Sequence, residues 1–90
     1  MYEINILPYF TKKLKKLVRN NIELKKKVSE TILKLSLNPS DPAIVYHKVG
    51  NVWSSRVTGD IRIIWDYDKN QNITIILINI GGHSGNTSVY

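Results

Sequence analysis

The chain has 90 residues, 42% of them hydrophobic, and no cysteine, which predicts one domain over residues 1–90 and excludes a disulfide scaffold or a cysteine-based zinc site. No apolar run reaches the roughly 18 residues of a membrane helix, no basic leader runs into an apolar segment, and the aliphatic residues are too many and too evenly spread for disorder; a cytoplasmic protein is expected. The net charge is +6, and it is unevenly placed: residues 11–34 hold nine basic and two acidic side chains, the rest of the chain four basic and five acidic, a pattern that favours a polyanionic partner, with a merely solvated basic face as the plain alternative.

Tyr2, Ile4 and Ile6 alternate with Glu3 and Asn5 and predict a half-buried strand that Pro8 ends. From about residue 9 to 37 the period is helical. Phe10, Leu14, Leu17 and Val18 form one apolar stripe; Leu24, Val28, Ile32 and Leu35 form a second. Between them Asn20-Asn21 breaks the pattern, and Asn20 with Glu23 resembles a capping box. Two amphipathic helices joined by so short a link predict an antiparallel hairpin. The segment Asn38-Pro39-Ser40-Asp41-Pro42 stops the second helix, and His47 and Lys48 are placed in the loop that follows.

The remainder reads as β-structure. Asn51 to Thr58 predicts a strand with Trp53, Ser55 and Val57 on one face and Val52, Ser54 and Arg56 on the other. Thr58-Gly59-Asp60 predicts a hairpin turn. On the next strand, Ile61 to Tyr67, Arg62, Ile64 and Asp66 lie opposite Ile61, Ile63, Trp65 and Tyr67. A polar turn at 68–72 leads to Ile73–Ile80, whose nearly unbroken aliphatic run predicts an interior strand. The order β-α-α-β-β-β implies an α+β fold, with an antiparallel helix hairpin packed on a small, mainly antiparallel sheet.

Common chemical motifs are missing. Gly81, Gly82 and Gly85 follow a strand but open no helix, so no phosphate loop is expected. Two histidines without cysteine make a poor zinc site, and Asp66 and Asp68 read as turn-stabilising residues. No metal and no small-molecule cofactor are expected.

A composite pattern is more informative: helical hairpin, proline-rich loop, His47-Lys48, a strand ending at Arg56, Gly59-Asp60-Ile61-Arg62-Ile63-Ile64-Trp65, an aliphatic strand, then Ile80-Gly81-Gly82-His83 leading to Val89-Tyr90. In order and spacing this resembles the RelE/ParE superfamily of toxins from type II toxin–antitoxin systems, closest to the RelE/YafQ-like branch, over almost the whole chain. The resemblance implies a ribosome-dependent mRNA endonuclease, an mRNA interferase that inhibits translation. It also implies a cognate antitoxin as partner, besides ribosome and mRNA.

The implied reaction is attack of a ribose 2′-OH on the adjacent phosphate. It needs a base, cationic stabilisation of charge on phosphorus, and an acid for the leaving 5′-oxygen. It needs no metal if Arg or Lys does the electrostatic work. Arg62, mid-strand, suits bidentate phosphate contact, and the family carries an arginine at the corresponding position. His83 falls where the YafQ-like branch has a histidine, and an imidazole serves as acid or base near neutrality. Tyr90 matches the tyrosine or phenylalanine that closes the family's site, positioned to stack on a base or orient the 2′-OH.

His47 and Lys48 match a loop where YafQ-like toxins keep histidine ligands for RNA, and either could be the general base. Arg56 reads as a phosphate contact or as half of a cross-strand ion pair. Lys12, Lys13 and Lys16 on the first helix would hold RNA electrostatically. RelE itself carries lysines where this chain has Val52-Trp53-Ser54-Ser55, so base function passes to His47, Lys48 or His83. Trp53 and Trp65 read as core. The geometry expected of an active site is that Arg62 and His83 face one groove. Two alternatives stay open: a ParE-like inhibitor of DNA gyrase that acts by protein–protein binding without nuclease activity, and a non-toxic member that keeps antitoxin binding only.

Overall fold

The computed structural model describes residues 1–44, 47–71 and 73–82. Strand β1 (Glu3–Ile6) leads through Leu7 into helix α1 (Pro8–Val18). Pro8 occupies the first turn of α1, where its missing N–H is no loss and its fixed φ is already helical. Helix α2 spans Ile22–Leu37 and is followed by a 3₁₀ turn at Pro42–Ile44. Four strands complete the chain: β2 (His47–Val49), β3 (Val52–Arg56), β4 (Ile61–Tyr67) and β5 (Thr74–Gly82).

The fold is the expected α+β arrangement, two helices packed on a mostly antiparallel five-stranded sheet. Strand order is β1-β5-β4-β3-β2. β1 runs parallel to β5, and the other pairs are antiparallel. The aliphatic run lies inside the sheet as β5, flanked by β1 and β4. One strand exceeds the sequence reading. His47 and Lys48 lie not in a loop but in β2, a three-residue edge strand turned back on β3 through Gly50, whose φ of +60° suits glycine.

The link between the helices also differs in detail. The cap of α2 is Asn21, whose side-chain oxygen accepts the Leu24 N–H at 3.0 Å. Asn20 instead takes φ 60°, a left-handed conformation that asparagine tolerates better than most residues. The Asn20–Glu23 capping box is therefore replaced by a cap one residue later.

Both helical stripes face the sheet. Phe10, Val28 and Leu35 are buried against Ile63, Trp65, Ile75, Leu77 and Ile80, with Ile44 from the 3₁₀ turn closing one end. Leu14, Leu17, Leu24 and Ile32 pack around them, as do Trp53 of β3 and Val57 just beyond its end. Trp65 is fully buried, and its indole N–H donates to Ser55 Oγ at 2.9 Å. Ser55 thus serves the core by satisfying the one polar atom that Trp65 brings into it. No helix among the described residues is long and apolar enough to cross a membrane.

Candidate functional site

Alternation along β4 fixes what points away from the helices. Ile63 and Trp65 belong to the core, with Ile61 and Tyr67 packed against it. Arg62, Ile64 and Asp66 therefore project from the opposite face. Register carries this assignment across the sheet. Arg62 pairs with Arg56, and Ile64 with Ser54; Ser54 in turn pairs with His47. Arg62, Arg56 and His47 consequently share the face remote from the helices. The two arginines are directly opposed, with Cβ atoms about 5 Å apart, and His47 lies diagonal to Arg56 at about 7–8 Å. On the other side of Arg62 the register partner is Gly81, so β5 places no side chain beside the guanidinium in that row.

The guanidinium of Arg62 is tied to the β3–β4 hairpin. Its Nη1 donates to the Thr58 carbonyl at 2.6 Å and to the Ile61 carbonyl at 3.3 Å. Arg56 is exposed, and its cross-strand neighbour is a second arginine, which replaces the expected ion-pair alternative with a like-charge pair. Like charges directly opposite each other destabilise a sheet. On β4 the carboxylate sharing this face is Asp66, four residues along the strand, or about 13 Å at the usual rise. Its Oδ1 accepts the Tyr67 N–H at 2.8 Å.

Lys48 falls on the other face. It pairs with Trp53, and its Nζ sits over the Trp53 ring at 5.5 Å. Trp53 itself stacks on Trp65, with centroids 6.0 Å apart. Lys48 thus covers the edge of the aromatic core and does not join Arg62.

Lys12, Lys13 and Lys16 lie on α1, in the layer on the far side of the sheet from Arg62. The ammonium of Lys13 is 5.8 Å from the Tyr9 ring centroid. Sequence reading missed a further group of cations: Lys15, Arg19 and Lys25 line a cleft at the tip of the helix hairpin, together with Asn20 and Asn21. Only the closeness of the two helix ends at that turn could have revealed it. Among the described residues, no group of three His, Asp or Glu side chains could hold a metal ion.

Comparison with solved structures places the fold. A toxin from Helicobacter pylori, solved with bound metal, is 26% identical, with a TM-score of 0.72 over 92% of this chain and 96% of that one. The YoeB–YefM toxin–antitoxin heterotetramer of Staphylococcus aureus contains a chain 19% identical, with a TM-score of 0.67 over 93% of this chain and 99% of that one. The DinJ–YafQ complex of Escherichia coli offers one 16% identical, with a TM-score of 0.67 over 92% and 94%. The chain has the fold of the RelE/ParE toxin superfamily. A scan of protein-family models and a search of characterised proteins both gave no match.

Within the RelE/ParE fold, the described residues divide the expected site in two. Arg62, Arg56 and His47 come together on one sheet face. Lys48 and the α1 lysines belong to other surfaces. His83 and Tyr90 lie outside the described residues; in sequence, His83 directly follows Gly82, the last residue of β5. Chemically, the shared face offers two guanidiniums able to grip an oxyanion from adjacent strands. It also offers an imidazole one diagonal step away, and the β5 residue paired with Arg62 is Gly81, which brings no side chain of its own.

Proposed function

We propose that the chain is the toxin of a type II toxin–antitoxin system and acts as a metal-independent endoribonuclease on mRNA in the ribosome, inhibiting translation in the cytoplasm. The observation that carries this reading is the directly opposed pair Arg56–Arg62 on a face shared with His47. A sheet gains nothing from two facing arginines. An RNA phosphate bound between them turns their repulsion into attraction, because guanidiniums bind phosphate oxygens through strong charge-assisted hydrogen bonds.

The chemistry follows from those groups. A base removes the proton of the 2′-OH, and the resulting oxyanion attacks the adjacent phosphorus. Negative charge grows on the non-bridging oxygens, where Arg62 and Arg56 stabilise it. The bond to the 5′-oxygen breaks, and an acid protonates that oxygen. The products are a 2′,3′-cyclic phosphate and a 5′-hydroxyl. Since Lys48 caps Trp53 on the opposite face, acid and base fall to His47 and His83, with Tyr90 orienting the substrate. Lys12, Lys13 and Lys16 add salt-sensitive attraction for the RNA backbone.

The cognate antitoxin is the second proposed partner, by analogy with the YoeB–YefM toxin–antitoxin complex. Its binding segment would carry acidic side chains to match a surface of net charge +6. The test is expression of the wild-type chain beside an Arg62→Ala/His83→Ala double variant. The reading expects growth arrest with cut mRNA for the wild type only. Growth arrest with intact mRNA and stalled gyrase would overturn it in favour of a gyrase inhibitor, and absence of toxicity in both would leave antitoxin binding alone.

A further inference from the structure

Thr58 carries an arrangement that the proposed reaction does not yet use. Its hydroxyl oxygen accepts two backbone N–H groups, from Asp60 at 3.3 Å and from Ile61 at 3.0 Å. These bonds close the β3–β4 turn from inside. The same residue's carbonyl accepts Arg62 Nη1 at 2.6 Å. The Ile61 carbonyl, the second acceptor of Nη1, is itself held by the Val57 and Thr58 N–H groups at 2.9 and 3.2 Å. The hydroxyl therefore fixes the turn, and the turn presents two carbonyls to one guanidinium nitrogen.

We propose that Thr58 is a positioning residue for Arg62: its hydroxyl-closed turn engages both hydrogens of Nη1 and so aims the Nε–Nη2 edge of the guanidinium at the scissile phosphate. Nη1 carries two hydrogens, and two carbonyls accept them. The three donors left are the Nε–H and the two Nη2 hydrogens, and one of each lies on a single edge with the spacing of a phosphate's two oxygens. A free arginine could offer several edges in many rotamers. This one offers a single edge in one orientation, which is the preorganisation that transition-state stabilisation requires. Glycine follows Thr58, and a Cβ at Gly59 would meet nothing within 4 Å, so at the tip of the turn the Thr58 hydroxyl, not side-chain packing, holds the backbone.

The kinetic part of this inference rests on the proposed ribonuclease reading; the structural part does not. Both are tested on Thr58→Val, which keeps the β-branch and removes the acceptor, with Thr58→Ala as a second removal. Thr58→Ser and Thr58→Asn keep an oxygen that can accept from the same N–H groups. Nitrogen-detected NMR of the Arg62 guanidinium, assigned by its loss in Arg62→Lys, reports whether the Cζ–Nη1 bond rotates slowly.

The expected result is resolved, slowly exchanging Nη signals in the wild type, their collapse in Thr58→Val and Thr58→Ala, and recovery in Thr58→Ser and Thr58→Asn. In the cleavage assay kcat should fall about 10- to 100-fold in the removal variants while KM changes little, and recover with the hydroxyl. Unchanged Arg62 signals in Thr58→Val would overturn the proposal, as would a kcat that fails to recover in Thr58→Ser when the signals do. If the wild type cleaves no RNA, the ribonuclease reading falls, and the NMR result alone decides whether Thr58 positions Arg62.

Discussion

Replacing Arg56 with glutamate should make the protein more stable and worse at binding RNA. In the native sheet Arg56 faces Arg62 across β3 and β4. Facing like charges cost, and facing opposite charges gain, a few tenths of a kcal/mol up to about 1 kcal/mol. Charge reversal collects both effects. Arg56 is exposed, so solvent screening reduces the sum, and a gain of about 0.5–1 kcal/mol is expected. For a domain of this size that raises the midpoint of thermal unfolding by about 2–8 °C.

The gain should be visible in low salt and fade near 1 M, where the Debye length shrinks to about 3 Å. RNA should respond in the opposite direction. Loss of one charge-assisted contact costs about 1.5–3 kcal/mol, or roughly tenfold or more in affinity. The salt dependence of single-strand binding should flatten by about 0.7 per phosphate contact removed. Thermal unfolding at two salt concentrations and fluorescence anisotropy with a short single-stranded RNA measure both halves. A variant that is destabilised in low salt, or that binds RNA as the wild type does, would refute the reasoning that this pair exists to hold an anion.

Three further outcomes follow from the geometry. Ser55→Ala leaves the buried Trp65 indole N–H without its acceptor and should cost about 1–3 kcal/mol, read as a lower denaturation midpoint with RNA affinity unchanged. Asn21→Ala removes the α2 cap and should cost about 1 kcal/mol, whereas Asn20→Gly, at a position with φ 60°, should leave stability unchanged or raised; the opposite order would restore the cap to Asn20. Neutralising Lys12, Lys13 and Lys16 together should reduce the salt slope of RNA binding by up to about 2 while leaving kcat on bound RNA unchanged, because α1 lies across the sheet from Arg62.

Much of the fold can be read from alternation and helical period. Trp53, Ser55 and Val57 separate cleanly from Val52, Ser54 and Arg56, and Arg62 from its apolar neighbours, because one sheet face is buried against helices. β2 escaped that reading. Three residues, His47 to Val49, are too few to establish a period, and they follow a proline-rich loop. With β2 unseen, the face taken by Lys48 could not be read either: its side was decided by pairing with Trp53, not by its own sequence. The two asparagines between the helices are equally good caps by composition, and only the left-handed backbone at Asn20 assigns the role to Asn21. The facing arginines depend on register. The turn at 58–60 was legible, but which residues meet across it is fixed by the Val57–Ile61 hydrogen bond, and a one-residue slip would have sent one arginine to the core face.

The central claim is that the Arg56–Arg62 face grips the phosphate at which mRNA is cut. It is tested most directly by mapping new mRNA 5′ ends, and the chemistry of the matching 3′ ends, in translating extracts supplied with the wild type or with Arg62→Ala. The account predicts new 5′-hydroxyl ends opposite 2′,3′-cyclic phosphates with the wild type, reduced at least a hundredfold with Arg62→Ala, about the loss expected when a preorganised charge-stabilising donor is removed. Equal cleavage by both proteins, or translation halted with no new ends from the wild type, would contradict it.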